Sequence, residues 1–305
     1  MSSSICIRSS GLFVAVSILS AAPAWADPFS FSTGNVTNQI AVASRPSSAG
    51  KTEIEAADDF VTTQQTTITG ASFTGLLVGL PNAGLPTIGE VVIEMYRVFP
   101  LDSNTARTPN VPTRTNSPSD IAFSSRDSAT AGELSFATSV LSTTFTTLNS
   151  VQPGGIHPKP TQTTGGNGSL TGSEVQFNIT FTNPFVLPAD HFFFIPQVKV
   201  TGGDFYWLSG TRPIVAPGTP FAPDLQSWIR DADLDPDWLR VGTDIIGAGT
   251  FNQAFTLSGS VAAVPEPESW ALMLAGLAGI SAFARRARPG ARGTQRMRLL
   301  RGASV

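Results

Sequence analysis

Of the 305 residues, only one is cysteine and two are histidine. Cys6 falls in the first 26 residues, which read below as an export leader. The exported chain therefore has no thiol with which to build a disulfide or a Cys-ligated metal site. His157 sits in a Gly/Pro-rich stretch and His191 heads a Phe-rich one, which leaves little from which to build a zinc site or a Ser-His-Asp triad. Charge is sparse at 13%, and it is lopsided. Between Asp27 and Pro265, 11 Lys plus Arg stand against 20 Asp plus Glu, a net charge of −9. Such a body repels phosphate and excludes nucleic acid as an expected partner. Catalytic motifs are missing as well. There is no Gly-x-Ser-x-Gly. "SSAGKT" (Ser47 to Thr52) has a Gly-Lys-Thr, but Arg45 stands where a phosphate loop needs glycine. Ser48-x-x-Lys51 has the spacing of a serine–lysine acyl enzyme without its supporting motifs.

The two ends carry apolar runs of nine residues or more. Arg8 is the only charge before Asp27, Gly11 to Leu19 is apolar, and Ala24-Trp25-Ala26 gives a small-x-small ending. Residues 1–26 therefore read as a signal peptide, with Asp27 as the first mature residue. Near the other end, Ser269 to Ala284 is a run of 16 residues without a charge. As a helix it reaches about 24 Å, short of the roughly 30 Å hydrocarbon core. Arg285, Arg286 and Arg288 follow it as a basic stop and orient it with the body outside. Ala271, Ala275 and Gly279 form a stripe of small residues suited to close helix approach. Residues 289–305 are a basic tail.

The order Val264-Pro265-Glu266-Pro267, apolar segment, arginine cluster resembles the PEP-CTERM sorting signal of Gram-negative bacteria. The resemblance covers residues 264–288. It implies recognition at Pro-Glu-Pro by an exosortase-type membrane enzyme, at least transient membrane tethering, and delivery to the cell surface or an extracellular polysaccharide matrix.

The body, residues 27–263, reads as β-structure. In "SEVQFNITFT", Val175, Phe177, Ile179 and Phe181 alternate with polar residues, as in a half-buried antiparallel strand. "GEVVIEMYRVF" and "HFFFIPQVKV" are more apolar, as central strands are, and Pro196 marks a bulge or an edge. Short strands between Gly, Pro, Asn and Ser clusters predict an all-β fold, an antiparallel β-sandwich of jelly-roll-like type. Pro100 to Asp120 and Asn149 to Ser169 read as long loops. "PDLQSWIRD" and "DPDWLRV" read as short helical turns capped by Asp224 or Asp235.

Three sets of residues carry candidate chemistry. Asp231, Asp233, Asp235 and Asp237 alternate in "DADLDPD", a spacing that can offer oxygen ligands to calcium, although Pro236 and Gly242 break the EF-hand pattern. Glu53, Glu55, Asp58 and Asp59 read as a solvated turn or a strand edge guarded by charge. Tyr206, Trp207, Trp228 and Trp238 would stack on sugar rings if exposed, and fill the core otherwise. The expectation is an exported, non-enzymatic surface or matrix protein needing no cofactor, calcium aside. A carbohydrate- or calcium-binding lectin-like module is the alternative, and a secreted glycoside hydrolase using paired carboxylates is a further one.

Overall fold

A computed structural model describes residues 26–81, 84–104, 116–156, 163–211, 226–231, 238–247, 249–262 and 267–286. Residues 26–262 form one compact unit, and the two ends of the chain fall outside it. Within that unit the described strands are β1 (Asp27–Ser32), β2 (Val36–Ala43), β3 (Ile54–Thr62), β4 (Thr66–Gly79), β5 (Thr87–Arg97), β6 (Ser124–Asp127), β7 (Leu134–Thr147), β8 (Asn149–Val151), β9 (Leu170–Leu187), β10 (Asp190–Thr201), β11 (Gly203–Gly210), β12 (Trp228–Asp231), β13 (Leu239–Arg240), β14 (Asn252–Gln253) and β15 (Phe255–Val261).

They form two sheets, as expected of an all-β sandwich. The larger runs β1-β15-β4-β11-β2-β8, with β9 also on β4, β7 on β9, and β14 on β11. The smaller runs β13-β12-β3-β10-β5-β6. Described pairings are antiparallel except β2 with β8, where Ile40–Val42 lie parallel to Asn149–Val151. The start of the expected Asn149 loop is therefore a strand. "PDLQSWIRD" is corrected too: Trp228–Asp231 is extended and pairs with Ile54–Ala57 of β3, so cross-strand pairing prevails over a local helical turn. Asp224 and Asp235 lie outside the described residues.

Alternation builds the core. On β9, Val175, Phe177, Ile179 and Phe181 are buried while Asn178, Thr180 and Thr182 are exposed. Phe73 of β4 stacks on Phe177 at 4.7 Å and reaches across to Phe194 of β10 at 6.3 Å. Phe194 in turn stacks on Phe255 at 5.0 Å, so aromatic rings bridge the two sheets. Gly75 is required here, because a Cβ would sit 2.0 Å from the Phe205 ring.

β10 lies between β3 and β5 and is buried on both faces from His191 to Val198. Pro196 sits just past Phe194, where pairing with β3 ends while pairing with β5 continues, so it leaves no ladder partner unserved. Beneath its outward face lies a second apolar cluster of Ala57, Tyr96, Val98, Phe193, Ile195, Trp228 and Trp238. That cluster frames the site below.

Outside the sandwich, helix α1 spans Pro267–Arg286, with proline at its first position where the missing N–H is not needed. It contains the whole Ser269 to Ala284 run, and its side chains from Met273 to Phe283 are exposed. No helix among the described residues is long and apolar enough to cross a membrane. The uncharged stretch of α1 is short and diluted by alanine and glycine, in line with the length read from the sequence.

Candidate functional site

The outer face of the smaller sheet carries a buried ionic network. On β3, Ile54, Ala56 and Phe60 point into the core, so Glu55, Ala57 and Asp59 take the opposite face. Arg230 of β12 is the cross-strand partner of Glu55. On β5, Glu94 pairs with Ile195 and Tyr96 with Phe193, which brings both to the same face. The expected solvated edge is therefore corrected: Glu55 is 1% exposed, and Asp58 and Asp59 are fully buried, because β3 is an interior strand flanked by β12 and β10.

Glu55 is the hub. Tyr96 Oη donates to its Oε1 at 2.7 Å, and Arg230 Nε donates to its Oε2. Arg230 Nη2 also donates to Tyr96 Oη at 2.9 Å, closing a three-residue ring. The guanidinium lies 4.7 Å over the Trp238 ring and 5.3 Å from that of Tyr96. Trp238 Nε1 donates to Ser119 O at 3.1 Å, and Arg230 Nη1 reaches Asp120 O. Residues 119–120 thus roof the network. On its half-buried rim, Gln197 Nε2 donates to Glu53 Oε1 at 2.9 Å.

Environment drives the carboxyls apart. Burial pushes Glu55 up, but the Arg230 charge and the hydrogen bonds from Arg230, Glu94 and Tyr96 outweigh it and hold the group below the usual carboxylate range. Burial, then the Glu55 charge, pushes Glu94 up to about 9, so at neutral pH Glu94 is a neutral acid beside an ionised partner. Burial also raises Glu53 and lifts the Tyr96 phenol far above its ordinary value. Carboxyl oxygens of Glu53, Glu55 and Glu94 lie within 4.8 Å of one another, a geometry open to a hard cation. Both Glu55 oxygens are engaged by Tyr96 and Arg230, however, and a cation would have to displace them. One ionised and one protonated acid is also the division of labour of acid–base chemistry. Here Glu55, Tyr96 and Arg230 are closed off from solvent while Glu94 is half-buried, and the network ties β3, β5 and β12 together.

A second buried pair lies on the same face. His191 Nε2 is 2.7 Å from Asp59 Oδ2, and the imidazole stacks on Phe193 at 5.3 Å. Asp58 points the other way, into the core, and accepts from the Gln253 N–H and the Asp59 N–H. Burial and the neighbouring Asp59 push its carboxyl well up.

The residues singled out in the sequence fall elsewhere. Trp207, Trp228 and Trp238 are fully buried and Tyr206 is 4% exposed, so these rings pack the interior and offer no open platform to a sugar. Trp207 Nε1 donates to Ala254 O at 2.9 Å, and Trp228 lies beneath Arg240. Burial and Asp204 push the Tyr206 phenol up to about 12. Asp231 is buried and accepts from Thr52 Oγ1 at 3.1 Å. Asp233, Asp235 and Asp237 lie outside the described residues, as does His157. Lys51 Nζ is committed to Asp204 Oδ1 at 2.7 Å, which Arg45 also reaches at 3.4 Å, so the Ser48–Lys51 turn is held by ion pairs. Glu94 and Arg230 escaped sequence reasoning, as did the place of Tyr96 beside Glu55. The available signal was Glu55, Ala57 and Asp59 alternating with the core residues Ile54, Ala56 and Phe60.

Of the sorting residues, Pro267 opens α1, while Arg285 and Arg286 close it. Val264, Pro265, Glu266 and Arg288 lie outside the described residues. Residues 263–288 match the family model of the PEP-CTERM protein-sorting motif. No curated protein and no solved structure matches the chain. On the strength of that match, together with the order of motif, helix and arginines, the chain is a PEP-CTERM domain-containing protein, an exported protein with a sorting signal.

Proposed function

We propose that the β-sandwich is a non-enzymatic module presented on the surface of a Gram-negative cell or held in its exopolysaccharide. An exosortase-type enzyme acts at Pro265-Glu266-Pro267 while α1 is at the membrane. The observation that carries this reading is the order of parts: a compact unit over residues 26–262, then immediately the matched sorting motif. A catalytic role would need an open pair of carboxylates, and the paired acids Glu55 and Glu94 sit in a network whose centre is closed. The lectin-like alternative loses its aromatic platform, because the four rings assigned to it are interior.

The test is mass spectrometry of the protein recovered from the cell surface. The expected product lacks Arg285 and everything after it. The double variant Pro265→Ala, Glu266→Ala should accumulate uncleaved in the cell envelope. An intact C-terminal segment on surface protein, or normal delivery of the double variant, overturns the proposal.

A further inference from the structure

The larger sheet ends in a strand built unlike the rest. β7 pairs only with β9 among the described residues, and along its first half, Leu134 to Val140, no described strand lies on the other edge. Long edges of this kind are normally guarded by charge or proline. From Leu134 to Gln152 the chain has neither. Two register shifts, at Val140/Ser142 and Ser142/Phe145, break up the second half and leave Leu134 to Val140 regular.

Side chains on that regular segment separate cleanly. Leu134, Phe136, Thr138 and Val140 pair with Phe181, Ile179, Phe177 and Val175 of β9, so they share the core-facing side. Their cover runs out along the strand, from Leu134 at 6% exposed to Val140 at 51%. The other side carries small residues, Ser135, Ala137 and Ser139, all exposed.

We propose that β7 pairs with β7 of a second copy of this chain, antiparallel and centred on Ala137, to continue the larger sheet across a two-fold axis. In this register Val140 lies opposite Leu134 of the second copy and Phe136 opposite Thr138. The apolar positions that the smaller sheet leaves uncovered are then covered by the mate. Ser135 meets Ser139, and Ala137 meets Ala137, where small side chains allow close approach. Charge does not oppose a second copy in this register, because the edge is uncharged from Leu134 to Gln152 and the two strands match each other position for position. Glu133, the nearest acid, falls opposite Leu141 of the second copy and never meets itself.

Sedimentation of the exported protein, with the Ala137 variants, tests the pairing. Wild type should be dimeric. Ala137→Lys, which sets two ammonium groups face to face at an exposed position, should be monomeric with an unchanged circular dichroism spectrum. Ala137→Glu should be monomeric likewise, and an equimolar mixture of the two should restore the dimer. Because the exported chain has no cysteine, Ala137→Cys should cross-link to itself under mild oxidation. A wild type that stays monomeric at every accessible concentration overturns the proposal, even if the edge then accepts a strand from another protein. So does a dimer indifferent to Ala137→Lys, or a failure of the mixture to restore it.

Discussion

The carboxyls of Glu55 and Glu94 approach within 4.8 Å on the outer face of the smaller sheet, one held ionised and the other held protonated. Oε2 of Glu94 meets no partner of its own, and burial together with the neighbouring Glu55 charge keeps a proton on the Glu94 carboxyl. Arg230 neutralises the pair once, not twice. A second negative charge there would lie buried beside the first, which is why the proton stays.

That proton sets the pH dependence of stability. Glu94 titrates near 4.5 unfolded and at about 9 folded. The native state thus binds more protons between those values, and stability must fall as pH rises through them. Glu53 and Asp58, also raised, push the same way. The melting midpoint should be higher near pH 5 than near pH 9, and Glu94→Gln should flatten the slope. Glu55 acts oppositely, since its contribution is lost as pH drops below the ordinary carboxylate range. A midpoint that rises steadily toward pH 9 would refute this assignment.

Arg230→Met should cost about 3–5 kcal/mol, because it leaves Glu55 buried with its charge unmatched. Replacing both residues with methionine should recover a good part of that loss, since the uncompensated charge goes too. Urea denaturation of the two single variants and the double one gives the coupling. Additive losses would mean that Glu55 and Arg230 do not depend on each other.

Burial of the tryptophans makes a spectroscopic forecast. Acrylamide should quench Trp207, Trp228 and Trp238 poorly in the native chain and readily in urea, and matrix sugars should leave their emission unchanged. Trp207→Ala should cost about 3–5 kcal/mol by leaving a cavity among Phe194, Phe255 and Ala254. Strong native quenching together with a sugar-dependent shift would restore the lectin reading.

How far the sequence revealed these features depends on whether the signal was local. The strand at Val175 to Phe181 was legible because alternation is written into consecutive residues. So was the sorting signal, whose motif, apolar run and arginines are contiguous. The Glu55 network was not, since its members come from β3, β5 and β12, and only strand order decides that "EIEAADDF" is interior. Acids at alternate positions look the same on a guarded edge as on a face later roofed by Ser119 and Asp120. Trp228 misled for the same reason. Its neighbours suggested a helical turn, whereas pairing with Ala57 makes it a strand.

Gly75 offers the sharpest test of packing between neighbouring strands. It lies on β4 opposite both Val175 of β9 and Trp207 of β11, at the point where the Phe205 ring crosses the strand. A Cβ there would fall 2.0 Å from Phe205 Cε2, and that ring is already held edge-on by Phe73 at 6.0 Å and by Phe177 at 5.5 Å. The ring has nowhere to retreat without disturbing the aromatic cluster. Gly75→Ala should therefore destabilise by about 1–3 kcal/mol, although alanine is ordinarily the better residue in a strand interior. Phe205→Leu removes the clashing edge at its own cost, so the double variant should lose less than the sum of the two singles. Thermal melts of all four proteins measure that coupling, and simple additivity would show that Phe205 does not determine the need for glycine.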